Sequence, residues 1–452
     1  MEKQKKKLGL LPKLIIAIVL GIVVGFVAQN MGSAGEIIIR LGATYNSIFG
    51  NFISFCIPLI IIGFVAPGIA DLGAGAGKIL AITTGIAYLS TVIAGSLAYV
   101  VDITLFPHLV DAGMFTTEAE NAEETVVSSL FTIDMPAIMG VMSALLIAFI
   151  LGLGMAVIKN GTLKAVMEEF GEIVSKLVAS IIIPLLPFHV YGIFAKLAYA
   201  GTIVELMTSF VKVFAVVICL HCVIIVFQYF VAGTVAKKNP FGLIKNMLPA
   251  YTTAIGTQSS AATIPVTVQC TKKNGVSDAI AEFVCPLCAT IHLSGSTITL
   301  TSCSIAVMMM LGQTPSFGKM FPFILMLGIT MVAAPGVPGG AVMAALGILE
   351  SMLGFDADMQ GLMIALYIAQ DSFGTACNVT GDGAIAVFMD AITGKNKEKA
   401  KAEKELAMFE NQLNNPKFVE RAPEKLVNET RTKLAASEDK IANINQSIQA
   451  LG

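Results

Sequence analysis

Thr253–Thr267 reads TAIGTQSSAATIPVT, and Ala334–Ala344 reads APGVPGGAVMA. Each lies inside an apolar segment, Leu248–Cys270 and Phe321–Leu353, yet Gly, Pro, Ser and Thr break both. Neither is a comfortable membrane span. Polar, irregular backbone at membrane depth is tolerated only where protein covers it or a cavity lines it. Two such segments in one half of a chain point to a binding site near the bilayer midplane. The flanking segments 278–312 and 356–393 also carry polar residues at their centres.

Composition supports a membrane setting. Of 452 residues, 55% are hydrophobic and 13% charged, against about 25% charged in ordinary soluble domains. The charge is uneven: 20 of the 60 charged residues, 11 basic and 9 acidic, fall in the last 58 positions. An apolar body is joined to a polar tail. A soluble enzyme of this length would carry charge throughout. A net charge of -2 gives no whole-chain case for nucleic-acid binding. The eight Cys form no disulfide framework. Cys285 and Cys288 have CxxC spacing, and Cys219, His221 and Cys222 cluster, but both groups lie in apolar runs that do not suit zinc.

Working outward, Leu8–Val27 is long enough to span, since about 20 residues cross the hydrocarbon core. Lys3, Lys5, Lys6 and Lys7 place its start in the cytoplasm. Further spans are expected at roughly 36–66, 77–105, 136–158, 170–198 and 203–235. Pro107–Asp134 contains Asp111, Glu118, Glu120, Glu123, Glu124 and Asp134 with no Lys or Arg, and counting spans puts it outside. The same count puts Lys159 and Lys237 inside, as basic residues prefer. Both termini are expected in the cytoplasm, with the body in the cell membrane. In the tail, Val427, Leu434, Ile441 and Ile448 repeat every seven residues, and Thr430, Ser437, Ile444 and Leu451 lie three further on. That heptad seam, together with the face of Leu406, Phe409 and Leu413, predicts a cytoplasmic antiparallel coiled-coil hairpin interrupted at Asn414–Pro416 and Pro423.

Four motifs resemble the glutamate/neutral amino-acid transporter family, the dicarboxylate/amino-acid:cation symporters, over about residues 10–394. They are Thr257–Thr267 (TQSSAATIPVT), Pro286–Ser296 (PLCATIHLSGS), Pro335–Ala341 (PGVPGGA) and Asp371–Asp382 (DSFGTACNVTGD). The resemblance implies an all-α membrane protein with eight transmembrane helices and two re-entrant helical hairpins, assembled as a homotrimer. It implies a membrane transporter over 1–394 with scaffold helices at about 8–66 and 136–198. A moving transport domain is implied at about 77–105 and 203–394, with hairpins at about 242–272 and 317–353. Residues 395–452 form the tail, which resembles the coiled-coil arm of valyl-tRNA synthetases around NNPKFVERAPEKLVNETRTKL. That likeness suggests a tRNA or protein contact; an inert, self-associating coiled coil is the plainer alternative.

A bare carboxylate at membrane depth is functional by default, and Asp371 lies in such a stretch. By resemblance it holds a substrate ammonium. Asn378 and Asp382 are four apart and share a helical face. By resemblance Asn378 meets the substrate carboxylate, and both help ligate sodium. Ser259 and Ser260 at the first tip are expected to donate to the same carboxylate. Val337, Pro338 and Gly339, with their flanking glycines, form the second tip and gate. Thr375 is a further polar contact, one turn from Asp371.

Departures from the family pattern are informative. Gly374 stands where members that carry acidic amino acids have Arg, and Tyr367 stands where they have a supporting acid. An acidic substrate side chain would lack a partner in a low-dielectric site, so a neutral amino acid is expected, with Gly374 leaving room for a bulkier side chain. His292 and Ser294 replace the usual Asn and Asp, and Val92 replaces a hydroxyl after Tyr88 and Thr91. A sodium site built on Tyr88, Thr91 and His292 is therefore weakened, and His292, which titrates near neutrality if unperturbed, is able to carry a proton instead. The expected function is sodium-coupled import of an amino acid by an elevator motion, without enzymatic activity or an organic cofactor. The alternatives are proton-coupled transport of an amino acid or dicarboxylate, and a membrane amino-acid sensor acting through a tRNA-binding tail.

Overall fold

The computed structural model describes residues 10–73, 78–110, 128–158, 161–201, 203–332, 334, 339–415, 418 and 422–449. Val337 and Pro338, the Lys3–Lys7 cluster, positions 111–127 of the acidic loop, Lys159 and Leu451 lie outside the described residues. Among the described residues the regular structure is entirely helical.

The order is α1 (Leu10–Gln29), α2 (Ser33–Gly73), α3 (Lys78–Leu105), α4 (Val141–Val157), α5 (Thr162–Leu177) and α6 (Ile183–Ala200). A π-helical segment, Val178–Ile182, joins α5 to α6 just before Pro184. Then come α7 (Ile203–Ala236), α8 (Pro240–Thr257), α9 (Ser260–Lys273), α10 (Asp278–Ile291), α11 (Ser294–Met310), α12 (Phe317–Val332) and α13 (Gly340–Ile348). Last are α14 (Ala357–Leu413) and α15 (Glu424–Gln449).

Among the described residues, six stretches are long and apolar enough to cross a bilayer: 12–29, 33–70, 79–108, 162–200, 206–236 and 278–310. The segment expected at 136–158 is shorter than anticipated. Residues 131–140 are extended or bent, and the helix begins at Val141 after Gly140 at φ -68°, ψ 154°. Pro136 and Gly140 are poor helix interiors.

Packing divides the helices into two groups. α1, α2, α4, α5 and α6 pack on one another. Gly25 on α1 lies so close to α6 that a Cβ there would meet the Ala195 carbonyl at 2.5 Å. α3 and α7 pack instead with α8–α14. Large apolar side chains on α1 and α7, such as Val19, Val23, Val211 and Val223, remain exposed, as lipid-facing positions are.

Each interrupted segment folds as two helices with a tip between them: α8 and α9 meet at Gln258–Ser259, and α12 and α13 flank the tip that ends at Gly339. The segment 278–310 breaks at His292 and Leu293 into α10 and α11.

The eighth expected helix and the first tail helix are one element. α14 runs unbroken for 57 residues through the anticipated boundary at 394/395. A single Gly394 does not end it, because the following KNKEKAKAEKEL run consists mostly of strong helix formers. α15 packs against α14, with Val427, Thr430 and Ser437 of the heptad seam buried.

Candidate functional site

The two tips, the break between α10 and α11, and the middle of α14 meet around a small cavity of about 20 Å3. That is room for about one water molecule. Gln258 and Ser260 of the first tip, Ser296 of α11, and Asp371, Thr375 and Asn378 of α14 line it.

Asp371 is 5% exposed and, among the described residues, accepts two hydrogen bonds from neutral donors. The Gly339 backbone N–H donates to Oδ2 at 2.7 Å, and the Thr375 hydroxyl donates to Oδ1 at 3.5 Å. Gly339 sits at φ +75°, a conformation that L side chains rarely adopt, so the second tip uses a glycine to turn its N–H onto the carboxylate. The first tip is held differently. Gln258 adopts φ +53° and donates from Nε2 to the Ser372 hydroxyl at 2.7 Å. Gln258 was absent from the residues singled out in the sequence, although it lies within the TQSS motif that drew attention to the tip.

The two tip serines part company. Ser259 is the N-cap of α9, and its hydroxyl accepts from the Ala262 N–H at 3.2 Å. Ser260, the next residue, lines the cavity. First-turn residues of α9, α11 and α13 (Ser260, Ser296 and Ala341) all face this cavity. Three helix N-termini, each the positive end of its dipole, thus converge on one point.

Asn378 does much to hold the break together. Its Oδ1 accepts from the Gly295 N–H at 2.8 Å and the Ser296 N–H at 3.3 Å, capping α11 from another helix. Its Nδ2 donates to the Ser296 hydroxyl at 2.9 Å. Tyr367 donates to that same hydroxyl at 2.9 Å. The neutral phenol at the position of the expected acid therefore positions Ser296 beside the cavity.

Gly374 does not line the cavity. It faces α11, where a Cβ on Gly295 would lie 2.5 Å from the Gly374 carbonyl. A Cβ on Gly374 itself would make only ordinary contacts, at 3.7–3.8 Å, with Ser296, Thr299 and Gly295 of α11.

Asp382 belongs to a second cluster, three turns further along α14. His292 and Asp382 are both fully buried, with Nδ1 and Oδ1 3.0 Å apart. On its other side, the His292 ring reaches the Ser90 hydroxyl at 3.0 Å. Gln228 of α7 donates from Nε2 to the Ser90 hydroxyl at 3.0 Å and to the Ser294 hydroxyl at 3.2 Å. Two oxygens of the cluster, Asp382 Oδ2 and Gln228 Oε1, are buried with no hydrogen bond among the described residues.

Tyr88 and Thr91 do not join His292 as the sequence suggested. The Tyr88 hydroxyl donates to the Leu325 carbonyl at 3.2 Å, and the Thr91 hydroxyl to Ala87 of its own helix at 2.9 Å. Helical geometry turns Ser90, between them, onto the imidazole. Ser90 and Gln228 carried no sequence signal, because their partners lie 202 and 66 residues away.

A model of the "Sodium:dicarboxylate symporter family" matches residues 10–392, and one of the "Valyl tRNA synthetase tRNA binding arm" matches 392–452. Serine/threonine transporter SstT of Acinetobacter baylyi is 24% identical over 402 residues, covering 85% of this chain and 97% of that protein. Excitatory amino acid transporter 2 of Homo sapiens is 27% identical over 245 residues, 52% of this chain and 42% of that protein. Excitatory amino acid transporter 1 of Mus musculus is 27% identical over 281 residues, 60% and 51% respectively. The chain thus spans nearly all of the bacterial relative and about half the length of the animal ones.

Proposed function

The chain belongs to the sodium:dicarboxylate symporter family, and on that premise we propose that this multi-pass membrane transport protein imports a neutral amino acid together with sodium. The observation that carries the reading is Asp371, a buried carboxylate facing a cavity where three helix N-termini converge. A zwitterion fits both poles: its ammonium pairs with Asp371, and its carboxylate is drawn to Ser260, Ser296 and the N-terminal turns. Among the described residues no Lys, Arg or His lines the cavity, which leaves an acidic side chain without a partner.

The cavity is too small for an amino acid as it stands. The Gly339 N–H occupies the carboxylate that an ammonium would use. Entry therefore requires the second tip to lift off Asp371, which makes this hydrogen bond the latch of a gate. Sodium is proposed to take the free Asp382 Oδ2, a hard oxygen donor. The His292 imidazole on the other oxygen is the feature that keeps proton coupling as the second reading of the ion. We propose an elevator motion in which α3 and α7–α14 move against α1, α2 and α4–α6 within a homotrimer in the cell membrane, both termini cytoplasmic. The tail is proposed as a contact for tRNA or a protein. The arm match also favours, as a second reading, a sensor that reports amino-acid status through the tail.

Proteoliposome uptake under a sodium gradient alone and a proton gradient alone tests the coupling. Accumulation with neither sinks symport. Because the Acinetobacter relative is named for serine and threonine, L-serine and L-threonine are the first probes. Concentrative uptake by a tail-deleted chain would oppose the sensor reading, and tRNA mobility shifts with full-length protein test the tail.

A further inference from the structure

Asp102 takes no part in either cluster. It lies in the last turn of α3, one turn before Pro107 and His108, which are exposed. Its own side chain is 0% exposed, and neither carboxylate oxygen has a hydrogen-bond partner among the described residues. It faces the Ser302 hydroxyl of α11, which is equally buried and equally without a partner.

Two unsatisfied polar groups facing each other in a buried interface have a simple resolution. An ionised carboxylate there would be a buried, uncompensated charge, and such a group neutralises instead. Among the described residues no cation pairs with it. Of the elements packed on α3, α11 presents the Cys303 thiol next to Ser302. Lys212 of α7 donates to the Leu109 carbonyl at 3.0 Å, and Lys319 of α12 to the Leu353 carbonyl at 3.1 Å. No titratable group of α2, α7, α10, α12 or α14 makes an ion pair or hydrogen bond with Asp102 among the described residues.

We infer that Asp102 is a proton-binding site of the transport cycle. A proton from solvent bonds to one carboxylate oxygen, and the neutral acid donates that proton to the Ser302 hydroxyl while α3 and α11 are packed together. When water reaches the acid past the exposed Pro107–His108 turn at the end of α3, the proton leaves. The site is distinct from the substrate cavity and from the His292–Asp382 cluster. Its link to transport rests on the symport reading; its protonation does not.

Full-length wild type and Asp102→Asn, an isosteric mimic of the neutral acid, are compared by infrared spectroscopy and by uptake of L-serine into liposomes holding a pH-sensitive dye. The expected result is a protonated-carboxyl band at neutral pH that is missing in Asp102→Asn. In addition, serine-driven acidification by wild type should fall at least tenfold in the variant while serine binding persists. An unchanged band, or proton flux equal to wild type, overturns the inference. If Asp102→Asn does not fold, wild type is titrated instead. Loss of the band at rising pH in step with proton flux supports the site, and a band that persists while flux changes overturns it. Failure of the symport reading would look different: no uptake by wild type, with the band intact.

Discussion

Asp371 and Asp382 lie eleven residues apart on one helix, both buried, yet their surroundings give them opposite characters. Asp371 takes hydrogen bonds from a backbone amide and a hydroxyl and borders a cavity. Asp382 has an imidazole on one oxygen and, among the described residues, no hydrogen bond on the other. Neutral donors leave a carboxylate its charge to offer a ligand. An adjacent imidazole is able to share that charge. On the proposed reading, the same side chain, set three turns along a rod, serves as a substrate handle in one place and an ion handle in the other.

Removing the handles in turn is the sharpest way to break this contrast. Asp371→Asn should have the largest effect, because truncating one partner of a buried charge pair costs about 2–5 kcal/mol. A loss of roughly 30-fold or more in L-serine affinity is expected by isothermal titration. Affinity unchanged within twofold would remove Asp371 from the substrate site. Asp382→Asn should instead shift the sodium dependence. We expect the sodium concentration for half-maximal uptake to rise about tenfold, with serine affinity at saturating sodium largely kept. Equal losses in both parameters would mean the two carboxylates form one site.

The latches should matter less than the charges. Gly339→Ala forces a left-handed conformation on an L residue at about 1–2 kcal/mol, so the closed tip should weaken. Cysteine accessibility or protease cutting at the second tip should increase several-fold, and an unchanged rate would argue against a gate there. Gln258→Ala removes the 2.7 Å bond to Ser372, a loss of about 0.5–1.5 kcal/mol. A fewfold change in uptake rate is expected, smaller than that of Gly339→Ala. The smallest effect belongs to Lys196→Ala, which breaks the 3.1 Å ion pair to Asp358 between α6 and α14. Exposed pairs are worth about 0–1 kcal/mol, and the melting temperature should move by a degree or two at most.

Much of this site was legible in the sequence because charge is scarce there. Asp371 and Asp382 stand out in apolar surroundings, and the glycines and serines of the tips announce turns where spans would otherwise run. What stayed hidden depends on distance along the chain. Ser90 and Gln228 look like ordinary polar residues of membrane helices until folding brings them to His292. Asn378 is expected at both the substrate carboxylate and sodium, and its role as the cap of α11 depends on a contact 83 residues away. Asp102 lay inside an expected span and was passed over, since its isolation from partners is visible only in three dimensions. The tail's heptads were readable, but its continuity with α14 was not, because a Gly beside a charged run resembles a boundary.

That continuity has a mechanical corollary. At about 1.5 Å per residue, the 57 residues of α14 make a rod of roughly 86 Å that begins below the substrate cavity and ends at the turn into α15. No hinge separates Asp371 from Asn414. Any travel of the carboxylate along the membrane normal is delivered to the tail, and any load hung on the tail is felt as drag at the binding site. A ligand of the arm would therefore act as ballast on the carrier, setting its pace without touching its cargo.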